Sequence, residues 1–249
     1  MTKPIKVHMC PAGPNPWKVV IVLEELGVPY EVNSFPFQEV KSKPFTDLNP
    51  NGRAPAIEDP NTGITLWETG AIIQYIIEVY DTNHVLSYSN LKERSLCNQY
   101  LAFQISGQGP YFGQAGWFNV LHPEKLPSAI ERYNTEIKRV LGVLETVLDG
   151  KKWLVGDNIT FADLAFSTWN DRIDSVLLCA PEAKFDGFPN VKEWHERMIS
   201  RPSWKVCMGK RSQLMDEQGL LSNGMPKGIS NIAEYEVKIK ADAEATARI

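Results

Sequence analysis

Strand-forming runs in this chain stop at Trp67, and from Asn90 to about Leu214 only helical periodicity remains. A chain whose strands are gathered at one end has few packing solutions: a small mixed layer first and a helical layer after it. Within the first third, Ile5 to His8 reads as a strand, followed by a Pro/Gly-rich stretch, Pro11-Ala12-Gly13-Pro14-Asn15-Pro16. A helix then carries Val19, Val22, Leu23 and Leu26 on one face at three-and-four spacing, with Gly27 placed to end it. Asn15 is suited to the N-cap of that helix and Pro16 to its first helical position. Tyr30 to Phe35 reads as a second strand.

Two further runs, Ala56-Ile57-Glu58 and Ile64-Thr65-Leu66-Trp67, flank a turn at Asp59-Pro60-Asn61-Thr62-Gly63 and predict a hairpin. A helix from about Thr69 follows, with Ile72, Ile73, Ile76 and Ile77 as its buried stripe. The order β-α-β then β-β-α is a thioredoxin-like arrangement. Beyond Asn90, a long amphipathic helix is marked by Ile130, Ile137, Val140, Leu141, Leu144 and Leu148. Thr160-Phe161-Ala162-Asp163 is a Thr/Asp variant of the capping box, a folding element with no chemistry of its own. The expected fold is an α+β thioredoxin-like N-terminal domain, residues 1–84, plus an all-α C-terminal domain, residues 91–214. Residues 215–249 read as a Gly/Ser/Asn/Pro-rich linker and then a short charged helix or a frayed tail.

Composition narrows the function by exclusion. A formal net charge of -4 gives no electrostatic footprint for a nucleic-acid partner. The opening MTKPIKVHMC has no apolar run, and no segment is long and apolar enough for a bilayer, so neither a signal peptide nor a membrane partner is expected and the location expected is cytoplasmic. Cys10, Cys97, Cys179 and Cys207 lie far apart with no C-x-x-C pair, and the four histidines show no ligand spacing; no metal is expected. Glycine-rich phosphate loops and G-x-S-x-G elbows are absent.

Four stretches carry a family likeness: Gly13-Pro14-Asn15-Pro16-Trp17-Lys18-Val19, Asn49-Pro50-Asn51-Gly52-Arg53-Ala54-Pro55-Ala56, Trp67-Glu68-Thr69-Gly70-Ala71-Ile72, and Trp153-Leu154-Val155-Gly156-Asp157 running into Thr160–Leu164. In this order and at these separations the chain resembles the cytosolic glutathione transferases. Within them it is most similar to the branch named for the fungal nitrogen-regulator prion protein, which shares features with the bacterial nu class. The resemblance implies glutathione as co-substrate, a small electrophile as second substrate, and a homodimer.

Glutathione is a peptide-like anion with two carboxylates, an ammonium and a thiol. Holding it takes an anion cradle, a counter-charge and a backbone edge. Glu68 precedes a helix starting near Thr69, whose free amides and hydroxyl face a carboxylate while Glu68 pairs with the ammonium. Read without the family, the same pair is a helix start with an exposed acid. By resemblance, Ala54-Pro55 is cis and Ala54 offers its backbone to the cysteinyl unit, while Arg53 meets the glycyl carboxylate as a charge-assisted donor or is a solvated loop arginine. Asn15 stands where this branch uses an asparagine amide to hold the thiolate; Gly13 occupies the Ser or Cys position of other classes. The competing role for Asn15 is the helix cap alone. Arg132 matches a position from which bacterial relatives reach glutathione across the dimer. Tyr111, Phe112, Trp117 and Trp169 are the candidate pocket for the electrophile, with core packing as the alternative.

The function implied is a transferase that stabilises the glutathione thiolate for attack on an electrophile, a disulfide or hydroperoxide included. The alternative is a non-catalytic regulator retaining the fold. Two features favour the enzyme: this sequence opens at strand one without that regulator's Asn/Gln-rich extension, and only Asp149–Lys152 separates Leu148 from Trp153, leaving no room for its insertion. A third reading, thiol transfer by Cys10, places the cysteine three residues ahead of the aligned position.

Overall fold

A computed structural model describes residues 2–221 and 224–229, together with residues 233, 234, 236–238 and 241. The strand β1 (Ile5–Met9) leads into α1 (Pro14–Leu26) and back to β2 (Tyr30–Ser34), which lies parallel to β1 with Val7 opposite Val32. A parallel pair cannot be closed by a tight turn, so α1 serves as the crossover. After the short α2 (Phe45–Leu48) come β3 (Ala56–Asp59) and β4 (Ile64–Trp67), the expected hairpin. Val7 also faces Ile57 of the antiparallel β3, giving the sheet order β2-β1-β3-β4. The helix α3 (Thr69–Tyr80) closes this domain, burying Ile72, Ile73 and Ile76, with Ile77 only partly covered.

The helical domain follows: α4 (Leu91–Phe103), α5 (Gly109–Gly116), α6 (Pro127–Leu148), α7 (Phe161–Asn170), α8 (Ile173–Leu177), α9 (Pro189–Ile199) and α10 (Pro202–Glu217). The last helix runs three residues past Leu214, because no glycine or proline falls between Leu214 and Gly219. The Gly/Ser/Asn/Pro-rich segment beyond it turns back on itself, with Leu220 bridged to Pro226. Of the last segment only 233, 234, 236–238 and 241 are described, and these are helical; the choice between charged helix and frayed tail lies largely outside the described residues.

The helix α1 is the joint between the two domains. It packs on α3 of its own domain and on α7 and α10 of the other, and everything from Pro16 to Leu23 is buried. A helix apolar on all sides has to be enclosed on all sides. It ends at Gly27 in the left-handed conformation (φ 63°), where the amides of Gly27 and Val28 satisfy the last carbonyls. The domains also meet at Gly70, where a Cβ would stand 2.2 Å from Cδ1 of Ile105, so a larger residue there requires that side chain to shift. At the far end of α1, Arg201 grips Glu25 through two bonds of 2.6 Å.

One interior group makes the fold acid-sensitive. His195 of α9 lies between Phe185 and Trp204, and neither ring nitrogen has a hydrogen-bond partner among the described residues. Burial, aided by the charge of Lys184, lowers its pKa from 6.5 to about 3. The unfolded chain therefore takes up this proton first. Stability from the neutral ring is complete above pH 6.5 and declines as pH falls toward 3, by about 3 kcal/mol at pH 4. Urea midpoints at pH 7 and pH 4 should accordingly differ far less in His195→Leu than in the native chain. Equal acid losses in both proteins would refute this assignment.

Candidate functional site

Between the domains lies a cleft of about 850 Å³. Its floor is the loop joining β1 to α1, held by Trp17 Nε1 donating to the carbonyl of Pro11 at 2.8 Å and by Arg172 donating to that of Ala12. The helix α1 begins differently from the reading of Asn15 as its cap. Gly13 is the N-cap, Pro14 the first helical residue, and no side chain caps this end. Prolines at the first and third positions leave Asn15 as the sole backbone N–H of the first three helical residues. Freed from capping, its side chain lies on the cleft wall.

What the amide does there follows from its one partner. Trp169 Nε1 donates to Asn15 Oδ1 at 3.0 Å. An indole N–H can only donate, so the carbonyl end of the amide is committed to Trp169 and the NH₂ end is turned away from it. Among the described residues that NH₂ makes no hydrogen bond. Asn15 thus presents a backbone and a side-chain donor beside the positive end of α1, a constellation suited to an anion.

Arg53 and Ala54 line the same cleft, and the Ala54-Pro55 bond is cis as the resemblance implied. Glu68 and Thr69 stand at the start of α3, outside the cleft lining. Thr69 is buried, whereas Glu68 is exposed and holds φ at 72° in a non-glycine residue, a strained conformation of the kind found at ligand clamps. Asn51 reaches toward its carboxylate at 3.5 Å.

The remaining expected residues are placed elsewhere. Arg132 is drawn to Glu136 of its own helix at 3.0 Å and does not line the cleft. Tyr111 lies under Arg139, Trp117 packs edge-on to His122, and Phe112 is wholly buried edge-on to Trp169 at 6.2 Å. Of the four expected pocket aromatics, Trp169 alone touches the site, through its nitrogen rather than its ring face. Phe112 is enclosed in the core, Tyr111 and Trp117 remain partly exposed away from the cleft, and the cleft wall there is formed by Leu121, Leu220, Met225 and Pro226. Cys10 also lines the cleft, but burial and the nearby Glu39 push its thiol up to about 12.

Several buried polar residues behind the cleft, and Arg172 on its wall, escaped sequence reasoning. Lys18 is wholly enclosed, and its Nζ donates to Gln104 Oε1 at 2.7 Å. Gln104 Nε2 donates to Gln108 at 3.0 Å and Gln108 Nε2 to Asn170 at 2.7 Å, a directed amide chain crossing from α1 to α7. The π-type turn Gln104–Gln108 brings the two glutamines onto one face. Burial lowers the pKa of Lys18 to about 7, with Glu68 opposing the shift. The signal was available: Lys18 interrupts the run Trp17 to Leu23, and a lysine inside a fully enclosed helix must be buried with it. Arg172 left no such trace. Among the described residues no group of three His, Cys, Asp or Glu side chains is placed to hold a metal, and no helix is long and apolar enough to cross a membrane.

Comparison with known proteins agrees with this fold. The family model for the glutathione S-transferase N-terminal domain matches residues 3–78, and that for the C-terminal domain matches residues 110–202. The chain is 47% identical over 201 residues to the glutathione S-transferase-like protein tpcF of Aspergillus fumigatus, covering 76% of this chain and 88% of that protein. It is 34% identical over 230 residues to the transcriptional regulator URE2 of Saccharomyces cerevisiae, covering 77% of this chain and 64% of the regulator. Among solved structures, the glutathione transferase URE2P6 of Phanerochaete chrysosporium, in complex with oxidized glutathione, superposes with a TM-score of 0.81 at 45% identity, covering 85% and 98% of the two chains.

Proposed function

Because the chain belongs to the glutathione S-transferase family, we propose that it binds glutathione in the interdomain cleft and holds the thiolate on Asn15 for attack on a small electrophile. The observation that carries this reading is the Trp169–Asn15 contact, which commits the carbonyl of the amide and turns its NH₂ donor away. A charged acceptor strengthens a hydrogen bond, so such a donor favours thiolate over thiol. In this reading Ala54 pairs with the cysteinyl backbone and Arg53 with the glycyl carboxylate. Glu68 takes the ammonium, and Thr69 with the start of α3 takes the γ-glutamyl carboxylate. Disulfide and hydroperoxide substrates fit the same thiolate. A two-fold dimer belongs to the proposal, and a role for Arg132 exists only across that interface.

Calorimetric titration of reduced glutathione into the protein tests the reading without knowledge of the second substrate. Saturable binding with proton release near neutral pH supports it; no heat of binding at millimolar glutathione would overturn it. The likeness to the URE2 regulator favours one competing reading, a fold retained without catalysis. It takes first place if glutathione binds with no release of protons and no electrophile, disulfide or hydroperoxide is turned over.

The thiol of Cys10 is not the nucleophile in this mechanism. With its pKa near 12 it is protonated at neutral pH. Cys10→Ser should leave turnover within about two-fold of the native rate, because a protonated thiol contributes no nucleophile. A loss comparable to that of an Asn15 variant would transfer the chemistry to the cysteine.

A further inference from the structure

Two polar ties join α1 to α7. The first is the Asn15–Trp169 contact at 3.0 Å. The second leaves α1 at Lys18, three residues on, and reaches α7 at Asn170, the residue after Trp169. Residues three apart share one face of a helix, so both ties leave α1 on the same side. They also converge farther out: a Cβ on Gly109 would stand 3.8 Å from Gln104 Nε2 and 3.8 Å from Trp169 Nε1.

The direction of the second tie is set at the lysine. Its nitrogen donates to Gln104 Oε1 at 2.7 Å, which turns the NH₂ of that amide onward to Gln108 Oε1 at 3.0 Å. Gln108 gives its NH₂ in turn to Asn170 Oδ1 at 2.7 Å. An ammonium has donors alone, whereas an amide accepts at one end and donates at the other. Without the lysine, the three amides can make the same two bonds in reverse. The far end imposes no direction of its own, because Asn170 Nδ2 is buried with no hydrogen-bond partner among the described residues.

This arrangement sits in the interior. Lys18, Gln104, Gln108 and Asn170 are each at most 2% exposed. A buried ammonium is costly, and a methionine of similar shape would fill the space without that cost. The lysine nitrogen keeps N–H donors on either side of its pKa of about 7, so the tie does not depend on one protonation state.

We propose that Lys18 is a positioning residue for thiolate stabilisation. By orienting Gln104, Gln108 and Asn170 it fixes the last turn of α7, and with it the indole that directs the Asn15 amide. Hydrogen bonds weaken steeply with misalignment, so a small drift of Trp169 releases that amide. The inference rests on the glutathione reading and leaves the transfer step unchanged.

The test follows the thiolate absorbance of bound glutathione against pH in five proteins. These are the native chain, Lys18→Met, Gln108→Leu, Asn15→Ala and the double variant Lys18→Met with Asn15→Ala. Lys18→Met should lower the thiolate fraction below the thiol pKa roughly 3- to 10-fold, a smaller effect than loss of the Asn15 amide itself. Gln108→Leu breaks the tie while leaving the lysine in place, and it should shift the thiol pKa in the same direction. On top of Asn15→Ala, Lys18→Met should add nothing, because it acts through that amide. An unchanged thiol pKa in either Lys18→Met or Gln108→Leu overturns the proposal, whatever happens to Tm or to KM for glutathione. Each variant decides this alone if the other fails to fold. A full effect of Lys18→Met in the Asn15→Ala background also overturns it, and assigns the shift to the charge of the lysine. Failure of the native protein to bind glutathione would instead remove the glutathione reading and this inference with it.

Discussion

Asn15→Ala should lower kcat/KM for glutathione-dependent turnover by roughly 10- to 100-fold at pH 6.5 and raise the pKa of the bound thiol by about one to two units. The two figures are one effect. A hydrogen bond to a charged acceptor contributes about 1.5–3 kcal/mol, and one pKa unit is 1.36 kcal/mol. Below the thiol pKa, rate follows the thiolate fraction. The thiolate absorbance of bound glutathione, followed against pH, reads the shift directly. Trp169→Phe should reproduce a smaller part of it, since the ring keeps its contact with Phe112 and only the N–H that orients the Asn15 amide is lost. If Asn15→Ala changes the KM for glutathione while kcat and the thiol pKa hold, the residue contributes uniform binding and the thiolate is stabilised elsewhere.

The second large effect is on stability. Asp163 is fully buried and accepts four hydrogen bonds: from Leu154 N–H at 2.9 Å, Trp194 Nε1 at 2.9 Å, Thr160 N–H at 2.8 Å and Thr160 Oγ1 at 2.9 Å. These tie the start of α7 to the preceding loop and to α9. Asp163→Ala strands three buried N–H donors and the Thr160 hydroxyl at once, and it removes the capping box. At about 1–3 kcal/mol for each buried donor left without a partner, softened by relaxation, the loss is about 3–5 kcal/mol. For a chain of this size that corresponds to a drop in Tm of about 10 °C or more. Asp163→Asn should also destabilise, because its NH₂ confronts two donors where an acceptor is needed. A drop below about 3 °C in Asp163→Ala would mean that the network is replaced by water at little cost. Since α7 carries Trp169, even the folded fraction of this variant should show weakened thiolate stabilisation.

The legible parts of this protein are those in which a residue and its partner are close along the chain. Gly27 ends α1, Asp59 to Gly63 turns the hairpin, and Thr160 with Asp163 opens α7; each involves a handful of consecutive residues whose chemistry admits few conformations. Asn15 was half legible. Its neighbourhood identified it as a polar donor at a helix start, yet the cap went to Gly13, because a proline at position 14 can begin the helix as readily as one at position 16. Phe112 was ambiguous for a different reason: a core ring and a pocket-lining ring have the same periodicity, and only the neighbouring helices decided that it is enclosed.

What the sequence determined by itself is the order of the main strands and helices, several of their ends, and the presence of a polar amide at a helix start beside a Pro/Gly-rich loop. What only the tertiary structure decided is the state of that amide and its surroundings. The Asn15 amide is oriented by an indole 154 residues away, Lys18 is buried against Gln104 by the closing of two domains, and Arg172 enters the cleft from beyond α7. Periodicity and caps record interactions within a turn or two of chain. The orientation of an amide, the burial of an ammonium and the placement of a guanidinium depend on which distant surfaces the packed core brings together.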